Sequence, residues 1–137
     1  MQLPSEQNFT QFPVLHTPEK EVLVQYLLHL ADNALILGHR NSEWTGHGPI
    51  LEQDIAISNI ALDLIGQARN FYQYAAVLFG QGITEDMLAF HRDGWDFRNC
   101  LLVEQSRGDW AVTVLRQFIF SNYQYLLFSA LQNSTDS

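Results

Sequence analysis

The chain has 137 residues, enough for one domain with a single modest core. It is 47% hydrophobic but only 16% charged, against about 25% charged for an average domain, so much of its surface is expected to face protein rather than water. The net charge of −8 lacks the basic footprint that nucleic acid requires, and no apolar stretch reaches the ~18 residues of a membrane span. A single cysteine, Cys100, excludes an internal disulfide. It lies in an apolar run and reads as a small hydrophobe in a reducing compartment. The polar N-terminus has no signal-peptide pattern, which points to the cytoplasm.

Residues 1–16 are polar and contain Pro4 and Pro13, so they read as a flexible lead-in to a helical domain over 17–137. Thr17 and Pro18 look like an N-cap and a first helical position, with Glu19 and Glu21 on the favourable end of the helix dipole. The first helix is predicted to end at Leu37, before Gly38. A turn-rich stretch follows, and Pro49 is predicted to open a long second helix that stops at Phe79, before Gly80. Thr84 caps a short third helix over Glu85–Arg92. Residues 94–108 read as irregular, and Asp109 caps a last long helix from Trp110 to Leu131. Apolar residues recur at helical steps, as in Leu23, Leu27, Leu30, Ala34 and in Ile57, Ile60, Ala61, Leu64, Ala68. The class is therefore all-α, with three long helices and one short one. A four-helix bundle needs a fourth long helix, to be supplied by oligomerisation or by a missing C-terminal half. Trp44, Trp95 and Trp110 are expected to cover the core near helix ends. The aromatics Phe118, Phe120, Tyr123, Tyr125 and Phe128 are expected to pack.

Two narrow polar stripes interrupt the apolar helices. One carries Glu52, Asn59, Asp63, Gln67 and Asn70; the other carries Gln25, His29 and Asp32 or Asn33. Facing each other, they would make a polar bundle core of the kind that holds carboxylate-bridged metals. Otherwise they are partly solvated seams. Spacing speaks against a complete metal site. The residues three places before the five histidines are Pro13, Tyr26, Ile36, Trp44 and Leu88, so no acid-x-x-His pair exists. Asp63 is followed three places on by Gly66, which cannot ligate. His39, Glu43 and His47 have helical spacing, but Gly46, Gly48 and Pro49 break a helix there. Asp32, Asp63 and Gln67 remain as relic positions of a metal site, holding buried hydrogen bonds.

The runs Leu30 to Leu37, Glu43-Trp44-Thr45-Gly46-His47, Asp54-Ile55-Ala56 and Asn59 to Arg69 resemble the structural C subunits of bacterial phenylacetyl-CoA epoxidases. So do Phe97-Arg98-Asn99 and Leu101 to Gln105. The likeness extends from Tyr26 to Asp136 and is most specific between Asn59 and Arg69. It implies a ferritin-like fold and a non-catalytic subunit of a multicomponent monooxygenase in phenylacetate breakdown. It also implies a catalytic partner subunit that carries the di-iron centre, with no cofactor in this chain. Glu43, Trp44, His47, Asn59, Asp63 and Arg69 would then be structural motif residues. Family members are longer, and this chain stops where the turn after the third core helix is expected. Two rivals stay open: a stand-alone helical dimerisation module, and an oxygenase whose metal is shared between subunits by Asp32 and Asp63 with Glu52 or His29.

Overall fold

The computed structural model describes residues 17–135. The lead-in predicted for 1–16 lies outside the described residues. Helices α1 (Pro18–Ser42), α2 (Leu51–Phe79), α3 (Glu85–Phe90), α4 (Leu101–Glu104) and α5 (Trp110–Leu131) follow in order, with a 3-10 turn at Gly94–Asp96. No strand occurs among the described residues.

Helices α1 and α2 form an antiparallel pair. The Tyr72 hydroxyl reaches Asp32, while Gly38 sits against Ile65 and Ala61. Their apolar stripes close the core: Val24, Leu27, Leu28, Ala31, Ala34, Leu35 and Leu37 meet Leu64, Ala68, Tyr72 and Ala75, all buried. Helix α5 runs parallel to α2, because Gln124 pairs with Gln67 and Phe128 stacks on Phe71. Two parallel neighbours require a crossover. Residues 80–109 provide it, passing α3, the 3-10 turn and α4 across α1. This is the ferritin-like arrangement of helices.

Several boundaries differ from the sequence expectation. Helix α1 runs through Gly38 to Ser42. A Cβ at Gly38 would lie 2.9 Å from Ile65 Cγ1 and 3.2 Å from the Ala61 carbonyl oxygen. The glycine is thus a close helix-crossing position, not a stop. Pro49 precedes α2, whose N-cap is Ile50. Thr17 makes no side-chain cap bond. Helix α3 ends at Phe90, since Arg92 turns inward, and the stretch read as irregular contains the 3-10 turn and α4. Thr84 and Asp109 cap as predicted, accepting from the Met87 and Val112 amides.

The aromatic expectations hold only in part. Trp44 and Trp110 meet edge to face at 5.0 Å, half-buried. Trp95 is 92% exposed and covers nothing. On α5 Phe120 is buried, Phe128 is half-buried, and Phe118, Tyr123 and Tyr125 stand outside the core. The reason is geometric. Two helices can cover only one side of α5, and its other sides carry apolar residues too.

Candidate functional site

Two polar clusters and one apolar face are candidates. The first cluster is built around Asp32, which is fully buried in the middle of α1. Its carboxylate accepts from the Tyr72 hydroxyl at 2.5 Å, from Arg92 Nη1 at 3.1 Å and from the Arg98 amide at 2.7 Å. Arg92 Nη2 donates to the other oxygen, which makes the ion pair two-pronged. Arg92 also donates through Nε to the Leu88 carbonyl and through Nη1 to the Asp96 carbonyl. Its guanidinium lies 4.4 Å from the Phe97 ring centroid. Burial, then the adjacent Asp32 charge, pushes the Tyr72 phenol far above its ordinary pKa, so it stays a donor.

The neighbouring residues extend this anchor. His29 Nδ1 donates to the Arg98 carbonyl at 2.5 Å, which leaves Nε2 to accept from Asn33 Nδ2 at 3.2 Å. The Asn33 amide oxygen accepts from the Cys100 amide at 2.7 Å. One face of α1 therefore ties down residues 92–100 of the crossover. The polar stripe predicted on the first helix does turn inward, toward the crossover and Tyr72.

The second cluster shapes the turn between α1 and α2. Asp54 accepts from the Gly46 and Gly48 amides at 3.1 and 2.9 Å, and these bonds lower its pKa. A Cβ on Gly48 would lie 2.8 Å from Asp54 Cα, so the turn demands glycine. Trp44 Nε1 donates to Thr113 Oγ1 at 2.8 Å, and Arg107 lies 4.5 Å from the Trp44 ring centroid. Arg107 also donates to the Glu43 carbonyl. Glu43 itself pairs with Arg40 at 3.0 Å, and His47 is exposed, its ring against the Thr45 carbonyl. His39, Glu43 and His47 thus serve a turn and do not converge.

The stripe on α2 faces outward, contrary to the buried-core expectation. Glu52, Asn59, Asp63 and Asn70 are exposed, and Gln67 is half-buried against Gln124 at 3.1 Å. Asp63 holds no buried hydrogen bond, because neither α1 nor α5 covers that side of α2. Arg69 lies 3.6 Å from Glu85 across the α2–α3 corner.

Within one copy of the chain these side chains do not gather into a di-iron ligand set. Asp32 is saturated by a cation, a phenol and an amide, while Asp63 and Glu52 stand at the surface. Among the described residues no three His, Cys, Asp or Glu side chains group as metal ligands. The α2–α5 side looks different. A groove of about 460 Å³ runs between Ile57 and Ile60 on one wall and Trp110, Val114 and Phe118 on the other. Phe118 on its wall is 64% exposed, and elsewhere on the two helices Tyr125, Leu126 and Leu62 are 73%, 69% and 66% exposed. Helix α5 carries one charged residue, Arg116, and it is buried, with Nη1 donating to the Gln105 and Ser106 carbonyls. An uncharged helix with this much exposed apolar surface is unusual for a water-facing element.

Sequence comparison bears on the same point. The phenylacetic acid catabolic protein family matches residues 13–137. The chain belongs to that family. It is 52% identical over 114 residues to the C subunit of the 1,2-phenylacetyl-CoA epoxidase of Escherichia coli (strain K12), covering 83% of this chain and 46% of the relative. The chain therefore spans about half the length of that curated relative. Asp32 and Trp44 stand out in the sequence, whereas Arg92 does not. No motif marks which base answers a lone acid in an apolar helix. No helix among the described residues is long and apolar enough to cross a membrane.

Proposed function

We propose that this chain is a non-catalytic structural component of a phenylacetyl-CoA epoxidase, acting in cytoplasmic phenylacetate breakdown beside a catalytic subunit that carries the di-iron centre. The observation that carries this reading is the use made of the interior. Among the described residues Asp32 is the one acid buried in the core, and it is neutralised by Arg92 and serves as a structural anchor. The uncovered apolar side of α2 and α5 is left for a partner. The similarity to the C subunit of such an epoxidase agrees with this role. Support, in this reading, means keeping the catalytic subunit's own helices in register by packing against them.

A second reading is favoured by one feature. The α5 face carries no exposed charge, so two copies of this acidic chain could meet there without repulsion. It would then be a homo-oligomer, with or without the catalytic subunit.

Light-scattering mass, measured alone and after mixing with a catalytic epoxidase subunit, tests both. Leu126→Asp places a charge on the exposed face without touching the core. Formation of a hetero-complex that Leu126→Asp abolishes is the expected result. A homodimer lost in the same variant, with no hetero-complex, favours the second reading. Iron bound stoichiometrically by the chain alone would overturn both.

A further inference from the structure

We infer that the exposed Trp95, presented with Phe90 on the crossover, is a second docking point that inserts into an apolar, basic-rimmed pocket of a partner protein. This rests on the reading of the chain as one component of a larger assembly. It concerns a surface other than the α2–α5 face. Trp95 is 92% exposed and Phe90 65% exposed, so most of both rings lies in water. Buried aromatics, tryptophan above all, dominate the energetics of protein interfaces when they enter a pocket.

The knob is rigidly held. Trp95 is the middle residue of the 3-10 turn Gly94–Asp96. Asp93 and Asp96 close a reciprocal capping box on that turn. Behind it, Arg92 and the Arg98 amide are fastened to buried Asp32, one on each side of Trp95 in sequence. The buried ion pair thus fixes the backbone on both flanks of an exposed tryptophan. Fixing it before binding lowers the ordering cost of association. A groove of about 400 Å³ lies alongside, lined by Leu35, Ile36, Phe90 and Phe97, and would take an apolar side chain from the partner.

Charge selects the occupant. Asp86 and Asp93 are exposed on the same segment, and Glu104 is exposed at the groove. Arg98 is exposed in this stretch, Arg40 lines the groove but is paired with Glu43, and Arg92 is buried on Asp32. His39 and His91 also stand exposed nearby in the groove lining and the segment. The whole chain carries −8, so a second copy would bring acids against acids around the knob. A partner with a basic rim gains from the same field, mainly in association rate.

The test titrates a purified catalytic subunit of a phenylacetyl-CoA epoxidase into this chain, following binding kinetics. Trp95→Ala is expected to weaken binding about tenfold or more through faster dissociation, with helix content and melting temperature unchanged. Asp86→Lys is expected to slow association several-fold at low salt, an effect that fades at high salt. Equal affinity of wild type and Trp95→Ala would overturn this inference and leave the proposed function standing. Failure of the wild-type chain to bind at all would overturn the proposed function, and this inference with it. A Trp95→Ala effect confined to the mass of a homodimer, or to the chain's own melting, would assign the knob to a second copy or to this fold and equally overturn it.

Discussion

Removing the Asp32 carboxylate is the most informative single perturbation. In Asp32→Ala the Arg92 guanidinium, 2% exposed, keeps its charge but loses its counter-ion. An uncompensated buried charge of this kind costs about 3–5 kcal/mol. The Tyr72 hydroxyl and the Arg98 amide lose their acceptor in the same step. Each orphaned donor adds about 1 kcal/mol or more, though not additively. A domain of this size has roughly 5–15 kcal/mol in total, so the variant should lose a third or more of its stability. Urea denaturation followed by circular dichroism reads the loss. Hydrogen exchange locates it, with the Arg98 and Cys100 amides losing protection first because both donate to α1 side chains. Arg92→Leu added to Asp32→Ala should recover at least half the loss, since the stranded charge is gone. A cost below about 1 kcal/mol for Asp32→Ala, or no recovery in the double variant, would refute the view of Asp32 as an internal anchor.

Other substitutions probe separate parts of the fold. Gly38→Ala should destabilise by about 1–3 kcal/mol despite alanine's better helix propensity, because the new methyl meets Ile65 and the Ala61 carbonyl; thermal melting checks it. Gly66→Ala on the open side of α2 meets nothing within 4 Å, and should stabilise the isolated chain by about 0.5–1 kcal/mol in the same assay. Trp44→Phe keeps an aromatic ring but loses the bond to Thr113 and some packing volume, and should cost about 1 kcal/mol or more in urea denaturation. The Gly48 and Gly46 amides lower the pKa of Asp54 below its usual 3.8, so its contribution is present above that value and lost as pH falls through the lowered folded value. Acid titration of Asp54→Asn should show a shallower loss of stability below pH 3.8 than wild type.

Which parts of the molecule could be read from the sequence follows from the range of the forces involved. Helix existence and the caps at Thr84 and Asp109 depend on residues within one turn, and these are where expectation and structure agree. Gly38 defies the local rule because its role is set by Ala61 and Ile65 on α2. The local rule that glycine ends a helix yielded to the space between two packed helices. Asp63 misled for a related reason. A lone acid in an apolar helix looks buried when every apolar side is assumed to be covered. Here neither α1 nor α5 covers the side that holds Asp63, so the acid, Asn59 and Asn70 lie at the surface while Gln67, nearer α5, is half-buried. Arg92 was out of reach altogether, since its partner lies sixty positions away and no spacing rule connects them.

The distribution of the bases ties the two proposed surfaces together. Of seven, Arg92 and Arg116 are buried, Arg40 and Arg69 lie against Glu43 and Glu85, and Arg107 covers Trp44. Most of the bases thus have a partner within the chain, and the excess charge is acidic. The chain consequently offers two kinds of surface. Along α5 there is apolar area with no exposed charge, whose binding should be almost indifferent to salt. Around Trp95 there is an aromatic knob in an acidic field, whose association should slow as salt screens the field. One salt titration of complex formation separates the contributions. Leu126→Asp should remove the salt-independent part of the affinity, and Asp86→Lys the salt-dependent part. If both variants changed the salt slope alike, the two faces would be one continuous surface, and the division drawn from the bases would be wrong.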